Sequence, residues 1–170
     1  MPHGITPGLA ETAYFEARQT TFASGTNIAE VEVDLGTGGV KVTRYVVAHD
    51  CGKMINPMLV EGQIRGGVIH GIGNALLEQM IYDETGQPLT TNYGEYLLPT
   101  APEMPRVEID HIEVASPLNP IGAKGAGEGG TIPATACVIA AIEDALAPFG
   151  AKVVEHPVSP QRILEILGST

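Results

Sequence analysis

Ala29-Glu30-Val31-Glu32-Val33-Asp34-Leu35-Gly36-Thr37-Gly38-Gly39-Val40-Lys41-Val42-Thr43 decides the fold. Apolar residues from Ala29 to Leu35 alternate with acidic ones, the period of a strand with one face buried. Gly36-Thr37-Gly38-Gly39 supplies the permissive backbone of a turn. Val40 and Val42 then alternate with Lys41 and Thr43 before the run Tyr45-Val46-Val47-Ala48. The returning strand therefore begins half-exposed and ends fully buried. Together the two predict a long hairpin starting at Asn27, which delivers His49-Asp50-Cys51-Gly52 to one end of a sheet.

Beyond the hairpin, Asn56-Pro57 reads as an N-cap followed by proline at the first helical position. The spacing predicts a helix from Pro57 to Gln79 or Met80. Ile64, Val68, Ile72 and Leu76 form one stripe of it, and Gln63, Gly67, His70 and Asn74 another. Gly62, Gly66, Gly67, Gly71 and Gly73 each weaken a helix by roughly 1 kcal/mol relative to alanine, so something must offset them. Either the small residues admit a neighbouring helix, or Gln63, with His70 and Asn74, offers polar groups to a ligand.

Further along, Met80 to Asp83 and Leu89 to Asn92 flank Glu84-Thr85-Gly86-Gln87 as a second hairpin, and Tyr93 to Pro102 is an extended loop. Val107 and Ile109, then Ile112 and Val114, make a strand whose phase slips at Asp110-His111. That slip predicts a bulge and makes His111 a bulge residue rather than a ligand. Thr131 to Ala147 is a mostly apolar, buried helix with Glu143 and Asp144 outward. In a short last helix Ser159 caps, Pro160 opens, Ile163, Leu164, Ile166 and Leu167 pack, and Gly168 stops it. Residues 1–13 read as an irregular lead-in. The expectation is one α+β domain over residues 1–170, with β-hairpins and a mixed sheet packed by a Gly-rich helix, a buried helix and a short terminal helix.

Composition narrows the functional classes. With 170 residues, 44% of them hydrophobic, the chain can bury one sizeable core. A net charge of -11 argues against a nucleic-acid partner. Two distant cysteines, Cys51 and Cys137, give no thiolate metal site, iron–sulfur cluster or disulfide framework, and the five histidines are dispersed. Gly, His, Asn or charge breaks each long apolar stretch, so no secretion signal or membrane span is expected and the cytoplasm is the default compartment.

The chemistry gathers in Ile121-Gly122-Ala123-Lys124-Gly125-Ala126-Gly127-Glu128-Gly129-Gly130-Thr131-Ile132-Pro133. Glycines free the backbone N–H groups for close approach to a ligand. A pure anion cradle would not hold a carboxylate among its donors, however, so Glu128 is the residue to explain. Gly125-x-Gly127-x-x-Gly130 matches the dinucleotide fingerprint, yet a proline-rich segment rather than a strand precedes it. Lys124 is followed by glycine and lacks the spacing of a Walker loop. A carboxylate fixed here suits general-base chemistry where burial lifts its pKa, although a helix N-terminus favours the charged form. A solvated or capping glutamate is the alternative.

Several strings together resemble a known family. Val46-Val47-Ala48-His49-Asp50-Cys51-Gly52-Lys53-Met54-Ile55-Asn56-Pro57, Val60-Glu61-Gly62-Gln63-Ile64-Arg65-Gly66-Gly67 and Gly71-Ile72-Gly73-Asn74-Ala75-Leu76 are similar to the C-terminal region of the molybdenum-binding large subunit of molybdenum hydroxylases. That family includes xanthine dehydrogenase, aldehyde oxidase and aerobic carbon monoxide dehydrogenase. Tyr96-Leu97-Leu98-Pro99-Thr100 and Gly122 to Glu128 extend the likeness in the style of the carbon monoxide dehydrogenase branch. The resemblance implies that Glu128 is the active-site base, deprotonating a Mo-bound hydroxyl that attacks an aldehyde, an N-heterocycle or carbon monoxide. It implies a molybdenum-molybdopterin cytosine dinucleotide cofactor, lined by Lys124, Gly125, Ala126 and Gly127 and approached by Gln63, Gly66 and Gly67. No protein ligand to the metal is implied, nor any Fe–S or FAD site in this chain. The partners implied are the remaining part of the molybdenum subunit and Fe–S and FAD subunits, without which the chain is expected to be inactive. A non-catalytic assembly module derived from the same fold is the competing expectation.

Overall fold

The computed structural model describes residues 8–17 and 19–168. Of the expected lead-in, Met1 to Pro7 lie outside the described residues, and residues 8–13 form no helix or strand.

The hairpin forms as β1 (Ser24–Val33) and β2 (Val40–Asp50), joined by a tight turn in which Asp34 Oδ1 accepts from the amides of Gly36 at 2.8 Å and Thr37 at 3.2 Å. Leu35, expected on the buried face, is exposed because that turn has already begun. Glu30 pairs with Arg44 but Val31 with Val42, which leaves Thr43 as a bulge. The extra residue changes the phase, so that Val42 and then Tyr45, Val47 and His49 all point inward. The bulge thus lies in β2, where two polar residues, Thr43 and Arg44, stand in succession. β3 (Val107–His111) is regular through Asp110-His111, and the bulge expected there is absent. Ile112 donates one more backbone bond to His49 at 2.9 Å before the chain leaves the sheet, so Ile112 and Val114 are exposed.

β3 runs parallel to β2, giving a mixed sheet of order β1-β2-β3. A parallel pair needs a long crossover, and α1 (Pro57–Leu76) lies within it. Asn56 caps α1 by accepting from the Leu59 amide at 3.3 Å. The helix ends a few residues before Gln79, where the Gly73 carbonyl takes the amides of both Leu77 and Glu78 at 2.8 Å. The expected second hairpin reduces to one bridge, Tyr82 with Pro88, around an Asp83 turn.

α2 (Thr131–Leu146) packs beside α1 and against β1, and α3 (Pro160–Gly168), capped by Ser159, adds Ile163 to the core. Within α3 Leu164 faces solvent rather than packing. Glu143 is not outward either, because its Oε1 accepts from the Val153 amide at 3.0 Å. Ile64, Val68 and Ile72 of α1 meet Ala134, Val138, Ile142 and Leu146 of α2 and Tyr45 and Val47 of the sheet in one core. By length and composition alone Thr131–Phe149 is sufficient to cross a membrane, a test that a helix of a folded core passes as well. Its inner stripe belongs to this core, while Ile132, Ala136 and Ala140 are exposed.

Two of the five glycines of α1, Gly67 and Gly71, serve this packing, while Gly73 lies against Pro99 and Gly62 and Gly66 are open. A Cβ on Gly67 would lie 2.8 Å from the Thr131 amide, and one on Gly71 would collide with Ala134. From the opposite side, a Cβ on Gly130 would strike the Ile64 carbonyl. Close helix approach is what offsets the poor helix propensity of Gly67 and Gly71.

Candidate functional site

The loop before α2 is anchored at its base. Gly52 and Ala123 form an antiparallel bridge, and the Lys124 amide donates to the Cys51 carbonyl at 2.8 Å. Gly122 (φ 73°) and Gly52 (φ 67°) take left-handed backbone conformations there, which favours glycine at both. Asn119 clasps Ala123 twice, accepting from its amide at 3.0 Å and donating Nδ2 to its carbonyl at 2.7 Å.

Lys124 Nζ meets Asp50 Oδ2 at 2.6 Å, with the two side chains only 13% and 11% exposed. Asp50 Oδ1 also accepts from the amides of Gly52 at 2.8 Å and Val114 at 3.1 Å. Burial alone would raise the Asp50 carboxyl, but these partners outweigh it and hold it below the usual carboxylate value. The ammonium of Lys124, expected to line the cofactor, is therefore committed to the protein.

Past this anchor the backbone is bare. The amides of Gly125, Ala126, Gly127 and Glu128 donate to no described residue. A Cβ on Gly125 or Gly127 would meet nothing within 4 Å. Such a row of open donors fits the polar edge of a bound cofactor. The Glu128 carbonyl accepts from Thr131 and Ile132, both at 3.1 Å, and so starts α2. Its carboxylate, by contrast, makes no hydrogen bond or ion pair with a described residue, so Glu128 does not cap the helix with its side chain. That carboxylate is exposed and lines a cleft of about 640 Å³ with Phe22, Asn27, His49, Ile132 and Pro133. A second cavity of about 760 Å³, bounded by Phe15, Leu118 and Ile121, adjoins it at Thr21 and Gly125.

The other expected residues spread out along α1. Gln63 and Gly66 are exposed on its first turns, whereas Gly67 is buried beneath Thr131. His70 is exposed, and Asn74 Oδ1 lies 3.3 Å from the Thr135 hydroxyl between the two helices. Residues that sequence reasoning passed over complete the cleft. His49 is 2% exposed beneath Gly129, with burial and then His111 pushing its pKa down against the pull of Asp50. Asn27 Oδ1 accepts from the buried Tyr45 hydroxyl at 3.1 Å. The signal available for His49 and Asp50 was a polar pair closing an otherwise apolar strand. For Asn27 there was none.

The model of the molybdopterin cofactor-binding domain matches residues 3–105, and the chain belongs to that family. Within it, the chain stands with molybdenum-binding large subunits that include the carbon monoxide dehydrogenase type. It is 44% identical over 163 residues to the nicotine 6-hydroxylase large subunit of Paenarthrobacter nicotinovorans, covering 96% of this chain and 20% of that one. Identity is 38% to the carbon monoxide dehydrogenase large chain of Hydrogenophaga pseudoflava, over 98% of this chain and 21% of the relative. Quinoline 2-oxidoreductase from Pseudomonas putida 86 superposes with a TM-score of 0.84 at 46% identity, over 86% of this chain and 19% of that structure. For the Cu,Mo-CO dehydrogenase the TM-score is 0.91 at 34% identity, over 98% and 21% of the respective chains. The chain thus spans about a fifth of the length of the curated relatives it matches.

Proposed function

We propose that this chain forms the acid-bearing wall of a molybdenum hydroxylase active site, with Glu128 as the general base. The observation that carries this is an unpaired carboxylate standing in a cleft directly beside four unbonded backbone amides. When bound, the cofactor supplies the redox chemistry, taking an electron pair from the substrate. Glu128 accepts the proton of the oxygen nucleophile as it attacks an electron-poor carbon of an aldehyde, an N-heterocycle or carbon monoxide. The amides of Gly125, Ala126 and Gly127 hold the polar edge of a molybdopterin cytosine dinucleotide, and Gln63 and Gly66 face its far end from α1. Lys124 contributes by fixing the loop to Asp50, and Gly67 by seating α2.

The remaining walls come from the rest of the molybdenum subunit, and Fe–S and FAD subunits carry the electrons away in the cytoplasm. Both cysteines among the described residues are free thiols, Cys51 buried and Cys137 half-buried. Glu128→Gln in the assembled holoenzyme tests the reading. Turnover is expected to fall by about 10²–10⁴-fold with molybdenum content unchanged. Undiminished turnover would overturn it in favour of a non-catalytic assembly module.

A further inference from the structure

Glu128 stands where the loop before α2 passes from free to clamped. On its N-terminal side a Cβ on Gly125 or Gly127 would meet nothing within 4 Å, whereas on its C-terminal side Gly129 and Gly130 are enclosed. A Cβ on Gly130 would strike the Ile64 carbonyl of α1, and one on Gly129 would strike Nε2 of His49 in β2. The polar anchor of Lys124 on Asp50 lies on the far side of the open glycines. The position of the acid is therefore set by the clamp that follows it.

Within that clamp His49 is the part that touches the residue next to Glu128. The three atoms nearest to the place of a Gly129 Cβ all belong to its ring, Nε2 first, then Cδ2 at 2.9 Å and Cε1 at 3.1 Å. Gly129 is not among the glycines with left-handed backbone, so what keeps a side chain out there is the imidazole rather than strain. Nor can the ring retreat. It is 2% exposed, with its sheet neighbours on either flank: Gly25 of β1 is its cross-strand partner, and His111 of β3 meets it edge to face with centroids 6.5 Å apart.

Neither ring nitrogen has a hydrogen-bond partner among the described residues, and both are shut off from solvent. Hydrogen bonding therefore does not explain a histidine here, and no molecule in the cleft reaches those nitrogens. Burial, and then His111, push the pKa of His49 down, so the ring offers Glu128 no charge either. What remains is its reach, a rigid flat group that ends where Gly129 begins.

We propose that His49 is a positioning residue: its imidazole is the stop against which Gly129 rests, and its length sets how far the Glu128 carboxylate stands out over the cleft. The role is steric and acts through the 128–129 peptide, whose carbonyl also opens α2 by accepting from Thr131 and Ile132 at 3.1 Å. It rests on the reading of Glu128 as general base and adds the residue that holds that base in place.

The test swaps bulk across the contact in the assembled holoenzyme. Gly129→Ala sets a methyl against the ring, His49→Ala removes the ring, and in the double variant the methyl takes the space the ring has left. Crystal structures of these holoenzymes are expected to show Glu128 displaced by about 1 Å in Gly129→Ala and restored in the double variant. A displacement of that size lowers kcat about 10²-fold, with KM kept within about twofold. The double variant is expected to recover at least about tenfold of the loss, which plain loss of packing would not do. Should His49→Ala fail to assemble, judged by molybdenum content and melting temperature, His49→Ser combined with Gly129→Ala decides by the same positions. Glu128 unmoved in Gly129→Ala would overturn the proposal, and so would a double variant displaced as far as the single. Turnover judges the base separately. Glu128 moved and then restored with turnover constant throughout removes the base and leaves the positioning residue. Glu128 unmoved, with Glu128→Gln inactive, removes only the positioning residue.

Discussion

Where α1 meets α2, a methyl group added to Gly67, Gly71 or Gly130 would run into the opposing helix, whereas one added to Gly125 or Gly127 would meet nothing. Both regions are glycine-rich, and they lie side by side. In the helix seam the missing side chain is replaced by another part of the protein. In the loop it is replaced by nothing among the described residues, and the backbone donors stay unpaired with respect to them. A glycine-rich stretch therefore has two physical meanings, dense packing or an open binding edge. Spatial neighbours distinguish them, and composition does not.

If the loop owes its shape to its anchor rather than to its glycines, removing the anchor should do the most damage. Lys124→Ala leaves the Asp50 carboxylate nearly buried and without its counter-ion, which costs about 3–5 kcal/mol. Chemical denaturation should show that loss, and a change under about 1 kcal/mol would mean that the pair behaves like a surface contact. The same pair sets an acid limit. Because the folded Asp50 carboxyl lies below its ordinary value of 3.8, its stabilisation is complete above that pH and fades as pH falls through the lower folded value. Asp50→Asn should flatten this acid-side decline in a pH series of melting temperatures.

Gly130→Ala probes the seam. The new methyl meets the Ile64 carbonyl, a backbone atom that cannot turn aside, and the expected cost is about 1–3 kcal/mol. A neutral result would show that the two helices can part without penalty. Smallest of all in stability should be Gly127→Ala, within about 0.5 kcal/mol of the parent. Its effect is expected in molybdenum retained after gel filtration of the assembled enzyme, and unchanged retention would count the loop out as a cofactor edge.

The hairpin, the capped helix starts and the apolar stripes were legible because each depends on residues near in sequence. Asn56-Pro57 and Ser159-Pro160 announce their helices without help from the rest of the chain. The phase of β2 was open to misreading, since Tyr45-Val46-Val47-Ala48 is apolar throughout and hides which residues face inward. The expected slip at Asp110-His111 is absent from β3, and the bulge at Thr43 of β2 has no counterpart in the sequence reading. Glu128 was legible as an anomaly, an acid among donors. The commitment of Lys124 to Asp50 was not, because no local pattern links residues 74 apart. Gly67 and Gly66 are adjacent and chemically identical, yet one lies under α2 and the other faces solvent, a distinction that exists only once α2 is in place.

That 74-residue separation also fixes an order of events. A ribosome must have passed Lys124 before Asp50 can find its counter-ion, and the loop between Gly122 and Gly130 has no other ion pair with a described residue to hold it. Closing so long a loop is slow compared with forming the hairpin. The anchor of the acid-bearing loop thus closes after the hairpin that supports it.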